Sequence, residues 1–295
     1  MMIRQEDQVA YEALEGRLKT MLPEQYQECY DDVQPVSMGS AGLKYGEDGK
    51  VAWDEIWGSF CDLAMAGGPP HKGSLLLPGS RAEIEAQPER YREVVEEICR
   101  GITMVTQIPA EASADPGWVR MDCESYGMAG WLVRAIVMEN VSVRCEGTFI
   151  ELPAGPSYRI EKEIKNVITV IAKTCHYWLD HMWAGQQRDV GNLFAVMAAE
   201  FPLVQPAAVA DDALRERIAA EIEQATGLRA SDRLAEGWLD LECPDVRAAI
   251  WMMRALVVSN ILARREGTVL FVPVNAAVVA GVVRVHGFAA ARGVL

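Results

Sequence analysis

Apolar and charged residues alternate along Trp118-Val119-Arg120-Met121-Asp122-Cys123, the period of a strand with one wet face. The alternation returns 120 positions later as Trp238-Leu239-Asp240-Leu241-Glu242-Cys243. A long apolar helical run follows each, over about residues 125–145 and 245–265. Gly147 and Gly267 are expected to end these helices, because an achiral residue takes the left-handed conformation easily. Short β-rich runs closed by proline come next, at 148–152 and 268–272, and a last helix completes each segment, over about 158–183 and 276–292. Upstream, charged amphipathic patterns predict helices over 81–100 and 211–225. A β-rich run at 102–107 follows the first of these, and the second segment reads about four residues shorter there.

The two patterns are two versions of one sequence. Columns 117–153 align with 237–273 without a gap, and fourteen are identical: Gly117, Trp118, Cys123, Ala129, Trp131, Arg134, Ala135, Val137, Asn140, Arg144, Glu146, Gly147, Thr148 and Pro153. The expected fold class is α/β, a tandem duplication of an αββαβα unit forming a pseudo-two-fold, two-lobed protein. Its strand–helix–strand segment is most simply a right-handed crossover. Residues 1–50 have no counterpart and read as an N-terminal helical arm, with a helix over 5–21, a second short helix and a Gly-rich turn at 39–49, packed on the first repeat. The expected domains are the arm (1–50), a first repeat carrying function (51–185) and a degenerate, structural second repeat (186–295).

Composition narrows the function. A chain of 295 residues, half of them hydrophobic, can bury a sizeable core, but its net charge of −14 gives no cationic surface for nucleic acid or an anionic membrane. An anionic ligand must therefore be drawn by a local cluster. The acidic start lacks the apolar core of a signal peptide, and the apolar stretch 269–283 is too short and too interrupted to span a bilayer, so a cytoplasmic location is expected. Seven cysteines without CxxC spacing fit buried thiols better than a disulfide framework.

Residues shared by both segments read first as structure. Arg134, Asn140, Arg144 and Glu146 are either a network tying the helix end to the turn or, with their counterparts, a pair of anion sites built on arginine's planar fork. Function is sought in what only the first segment carries. The loop Gly67-Gly68-Pro69-Pro70-His71-Lys72-Gly73 allows close backbone approach and offers a cation, although it matches neither a P-loop nor a dinucleotide fingerprint. Tyr126-Gly127-Met128-Ala129-Gly130 opens the long helix with glycines, which suit either a ligand at the helix start or close helix packing. On the last helix, a polar stripe of Lys162, Asn166, Thr169, Lys173, His176 or Tyr177, and Asp180 becomes Val282, His286, Ala289 and Gly293 at the positions 120 beyond Lys162, Asn166, Thr169 and Lys173. That stripe is either a solvated face or a site.

The resulting expectation is a small anionic metabolite or cofactor held through phosphate or carboxylate by Lys72, Arg120, Tyr126, Lys162, Lys165, Asn166 and Lys173. His176 and His71 would move protons in an enzymatic version. No particular cofactor is indicated. No protein-ligated metal is expected, since histidines at i and i+5, as His176 and His181 are, diverge on an α-helix. The alternative is a non-enzymatic assembly protein, a homo-oligomer or partner-binding module using the Val/Ala-rich C-terminal segment.

Overall fold

The alternating runs are strands, and the helices pack on them as the apolar spacing requires. The computed structural model describes residues 5–28, 42–56, 64–66, 68, 70, 72–207, 211–231 and 235–295. In chain order the elements are α1 (Gln5–Met21), α2 (Arg81–Ala86), α3 (Pro88–Thr106), β1 (Ala110–Ala112), β2 (Trp118–Asp122), α4 (Tyr126–Met138), β3 (Arg144–Glu146) and β4 (Phe149–Pro153). A π-helical turn (Ile160–Ile164), α5 (Lys165–His176) and a second π-helical turn (Tyr177–His181) then form one continuous helix. After α6 (Ala184–Glu200) come α7 (Asp212–Thr226), β5 (Trp238–Glu242), α8 (Val246–Val257), β6 (Arg264–Glu266), β7 (Val269–Pro273) and α9 (Val278–Arg292).

The chain divides into two units, residues 33–191 and residues 1–32 with 192–295. The first unit holds a four-stranded sheet in the order β1-β2-β4-β3 and the second a three-stranded sheet in the order β5-β7-β6. Both sheets are antiparallel throughout. The expected right-handed crossover therefore does not occur: β2 and β4 pair antiparallel, with Trp118 opposite Pro153, and β5 and β7 pair likewise, with Trp238 opposite Pro273. The fold is mixed α/β with two antiparallel sheets, and each segment carries one more strand after its long helix than expected.

That extra strand comes from where the long helices stop. They end at Met138 and Val257, and the left-handed residues just beyond are Asn140 and Asn260, at φ 59° and 63°. Each asparagine also donates its side-chain NH to an incoming strand-like segment, Asn140 to the Lys72 carbonyl at 2.9 Å and Asn260 to the Phe201 carbonyl at 2.8 Å. Gly147 and Gly267, both at φ 62°, turn β-hairpins instead of capping helices. Arg144 and Glu146 consequently lie on β3 rather than at a helix end.

Two further expectations change. Residues 102–106 continue α3, because Ile102 extends the buried stripe of Val94, Val95 and Ile98 by one more turn, and Gln107 ends the helix at φ 62°. The second segment is not shorter here. Thr106 and Thr226 each bond back one turn, to Ile102 and Ile222, and each hydroxyl accepts an NH at 3.1 Å, from Ile108 and Leu228. α1 joins the second unit, where it packs on α8 and Arg292 bonds Tyr11 and Glu15, so the helix of the arm is not packed on the first repeat. Of the expected turn at 39–49, residues 39–41 lie outside the described residues.

α4 packs on the first sheet and on α5, which α3 also covers. α9 packs on α7 and α8, burying Val278, Val282, Val285, Phe288 and Ala289 within the second unit. The apolar C-terminal pattern is thus satisfied by its own unit. No helix among the described residues is long and apolar enough to cross a membrane.

Candidate functional site

Lys72 is placed by its main chain. Its NH donates to the Glu139 carbonyl at 3.2 Å, its own carbonyl accepts from Asn140, and four residues on Leu76 donates to the Asn140 carbonyl at 2.8 Å. This run is therefore laid against the end of α4. A second anchor brings in the start of the α5 helix: the buried Tyr158 hydroxyl donates to the Leu77 carbonyl at 2.6 Å, and Arg90 holds the Tyr158 carbonyl at 2.9 Å. Burial pushes the Tyr158 phenol well above its usual range, so it stays a neutral donor. Arg159 is the extended residue that caps the start of that helix, and Lys162 lies on its first turn.

Arg159 and Lys162 both pair with the Glu163 carboxylate, and Lys72 is close enough for its charge to be felt by all three. Burial lowers the Lys72 ammonium below its ordinary value, and Lys162 and Arg159 lower it further against the opposing pull of Glu163. Burial alone would raise Glu163, but hydrogen bonds from the Arg159 NH, at 3.1 Å, and its guanidinium outweigh this and hold it below the usual carboxylate range. Lys162 approaches the same carboxylate at 3.8 Å. Glu163 thus pairs with two exposed cations, with Lys72 within their electrostatic reach.

The other expected residues are distributed differently. Lys173 lies neither on a solvated face nor in a cleft: it is fully buried, with its ammonium 2.7 Å from the equally buried Glu139 carboxylate. Lys165 and Asn166 occupy the first turn of α5, half-buried, and the Lys165 carbonyl accepts from Thr169 at 2.7 Å. Arg120 stacks over Phe149 at 3.8 Å on the sheet, opposite Glu151 in register. Tyr126 is exposed at the start of α4, where the neighbouring glycine serves packing: a Cβ on Gly127 would stand 3.1 Å from the Gly191 Cα. His71, with Gly67 and Pro69 of its loop, lies outside the described residues.

His176 is fourteen residues beyond Lys162 on one continuous helix, roughly 20 Å along its axis. The structure does not bring this histidine to the cationic group. Instead the second π-helical turn draws His181 towards it, Nε2 to Nε2 at 3.1 Å, while Asp180 meets the His176 Nδ1 at 2.7 Å. The divergence of i and i+5 holds for an α-helix and fails here, since a π-turn has more than four residues per revolution. Burial lowers His181, and the adjacent His176 adds to that, against the pull of Asp180. Among the described residues, no group of three or more His, Cys, Asp and Glu side chains is arranged to hold a metal ion.

The shared polar residues have partners within the protein. Arg134 is buried in α4 and donates to the Gly130 carbonyl at 2.6 Å, and burial lowers it to about 10. Arg144 spans Asp115 and Glu151 while stacking over Trp118 at 4.1 Å. The five described cysteines are free thiols, and burial pushes Cys99 and Cys145 up to about 11 and Cys175 and Cys243 up to about 12, with Cys123 higher still. They are poor nucleophiles. No protein-family model matches the chain, and comparison with curated proteins gives no significant similarity.

Sequence reasoning missed Arg159, Glu163 and Glu139. The first two were hidden in a helix start dense with charge. Glu139 carried a usable signal: it and Lys173 are both replaced by neutral residues, Ser259 and Gly293, at the positions offset by 120.

Proposed function

We propose that the first unit binds a small metabolite through a phosphate or carboxylate group at Lys72, Arg159 and Lys162. The carrying observation is that two exposed cations, Arg159 and Lys162, share the single carboxylate of Glu163, with Lys72 close enough to be disfavoured as an ammonium by burial and by both of them. An arriving anion relieves that repulsion, and arginine's fork and two ammonium groups supply charge-assisted hydrogen bonds. The proposal is one of binding. Proton transfer was expected of His176, which is remote from this group. We further read the two units as copies of one module, a reading supported by the fourteen shared columns and by matching main-chain bonds such as Ala154 to Gly117 at 2.8 Å and Val274 to Gly237 at 2.9 Å.

The test is thermal unfolding and calorimetry with inorganic phosphate, against potassium chloride at matched ionic strength. A ligand that binds only the native state raises the melting temperature. Phosphate should stabilise the wild-type protein more than chloride does, and Lys72→Ala and Lys162→Ala should each remove the difference. Equal shifts from both salts, or a phosphate response retained in both variants, would refute the site.

A further inference from the structure

We propose that the buried Glu139–Lys173 pair is a positioning device that fixes Lys72 for anion binding. This rests on the anion-site reading above. The two charges are fully buried 2.7 Å apart, and the same Glu139 oxygen accepts the main-chain NH of Ala64 at 3.0 Å. The Glu139 carbonyl accepts the NH of Lys72 at 3.2 Å, and the next residue, Asn140, bonds the Lys72 carbonyl. One residue thus holds two points of the chain eight positions apart, with its side chain on Ala64 and its main chain on Lys72. Lys173 fixes that side chain. It is a positioning residue acting through Glu139, with no part in ligand contact.

A buried ion pair is an expensive way to hold a helix end, because both charges lose their hydration, and apolar replacements of similar volume are often as stable or better. The second unit demonstrates the economy of doing without it. There the corresponding helix ends in a left-handed asparagine, Asn260, whose side chain also bonds an incoming segment, yet Ser259 stands in the aligned column of Glu139, so that helix end carries no such carboxylate. The helix end and its docked segment do not need the two charges. What the first unit has in addition is Lys72 and the cationic group around Glu163, so the pair is retained where a lysine must be held in register.

The experiment uses the full chain carrying Glu139→Gln together with Lys173→Met, which removes both charges and keeps a carbonyl oxygen for Ala64. Two quantities are read: phosphate affinity by calorimetry and hydrogen exchange at the Ala64 and Lys72 amides. The double variant should fold with a near-native melting temperature, bind phosphate tenfold or more weakly, and exchange both amides at least tenfold faster. Exchange at the Cys123 amide, bonded to Thr148 at 2.9 Å, should not change. Native affinity with native exchange would overturn the proposal, and so would failure of the double variant to fold, since the pair would then serve the fold itself. If wild-type protein does not bind phosphate, the anion-site reading fails, while the exchange measurement still decides whether the pair fixes the Lys72 main chain.

Discussion

Arg144 and Arg264 occupy equivalent strands and meet opposite surroundings. In the first unit Arg144 is about one-third exposed and bridges Asp115 and Glu151 over the face of Trp118. In the second, Arg264 is fully buried between Phe271, at 3.8 Å, and Trp238, at 5.2 Å, with Glu266 at 2.6 Å. The difference extends through both sheets. β4 alternates between buried and half-exposed positions, whereas every residue of β7 is buried, and Asp240 on β5, expected on a wet face, is fully buried and bonded by Arg215 and Ser231. If the two units are copies of one module, as proposed above, that module supports a wet sheet face in one unit and a dry one in the other. Charges that differ between the units are not requirements of the scaffold, and among them the Glu139–Lys173 pair is the most buried.

The largest expected effect breaks that pair on one side only. Lys173→Met leaves the Glu139 carboxylate buried without its ammonium and should destabilise the protein by on the order of 3–5 kcal/mol in urea unfolding. Adding Glu139→Gln should recover most of the loss, as the neutral residues of the second unit imply. A single variant of native stability would mean that water or another cation reaches Glu139, and the contrast between the units would lose its sharpest instance.

Next in size is the arginine comparison itself. Burial lowers the Arg264 guanidinium, with Glu266 opposing, so Arg264→Ala removes the cation from a carboxylate that cannot rehydrate freely and should cost about 3 kcal/mol. Arg144→Ala should cost about 1 kcal/mol, because its ion pairs are open to solvent and the stacking on Trp118 is modest. Equal losses in the two variants would show that the wet and dry faces are energetically alike.

Much of this scaffold was legible in the chain, and the parts that were not have identifiable causes. The strands at Trp118 and Trp238 follow from alternation, and α1 falls on Gln5–Met21 as its pattern predicts. Helix ends were misread because glycine seemed the natural left-handed residue. Asn140 and Asn260 take that conformation instead, made affordable by the side-chain bond each gives to a distant carbonyl, which no local pattern reveals. α3 was cut short because Ile102-Thr103-Met104-Val105-Thr106 is rich in β-branched residues, and tertiary packing on α5 overrode that propensity. Of the expected site residues, Lys72 and Lys162 are near enough to affect each other's charge, but Lys173 was placed on a polar stripe when its partner lay on another helix end. Spacing along one helix cannot report a pairing across two.

The smallest expected effect separates a titrating cation from a permanent one at the same place. Lys72 has its ammonium lowered by burial first and by Lys162 and Arg159 next, so in the folded protein it gives up its proton below the ordinary lysine value of 10.5. Anion binding needs the ammonium. Affinity should be fully present below the lowered value and be lost as pH rises through it, with the onset earlier than an exposed lysine would give. Sulfate is the suitable probe because its own charge is constant across this window. As pH rises into the range where lysines titrate, sulfate affinity in the wild-type protein should begin to fall before an ordinary lysine would lose its proton. It should stay level in Lys72→Arg, whose guanidinium does not titrate there. A wild-type profile as flat as that of Lys72→Arg would mean that burial and the cationic neighbours do not press on Lys72.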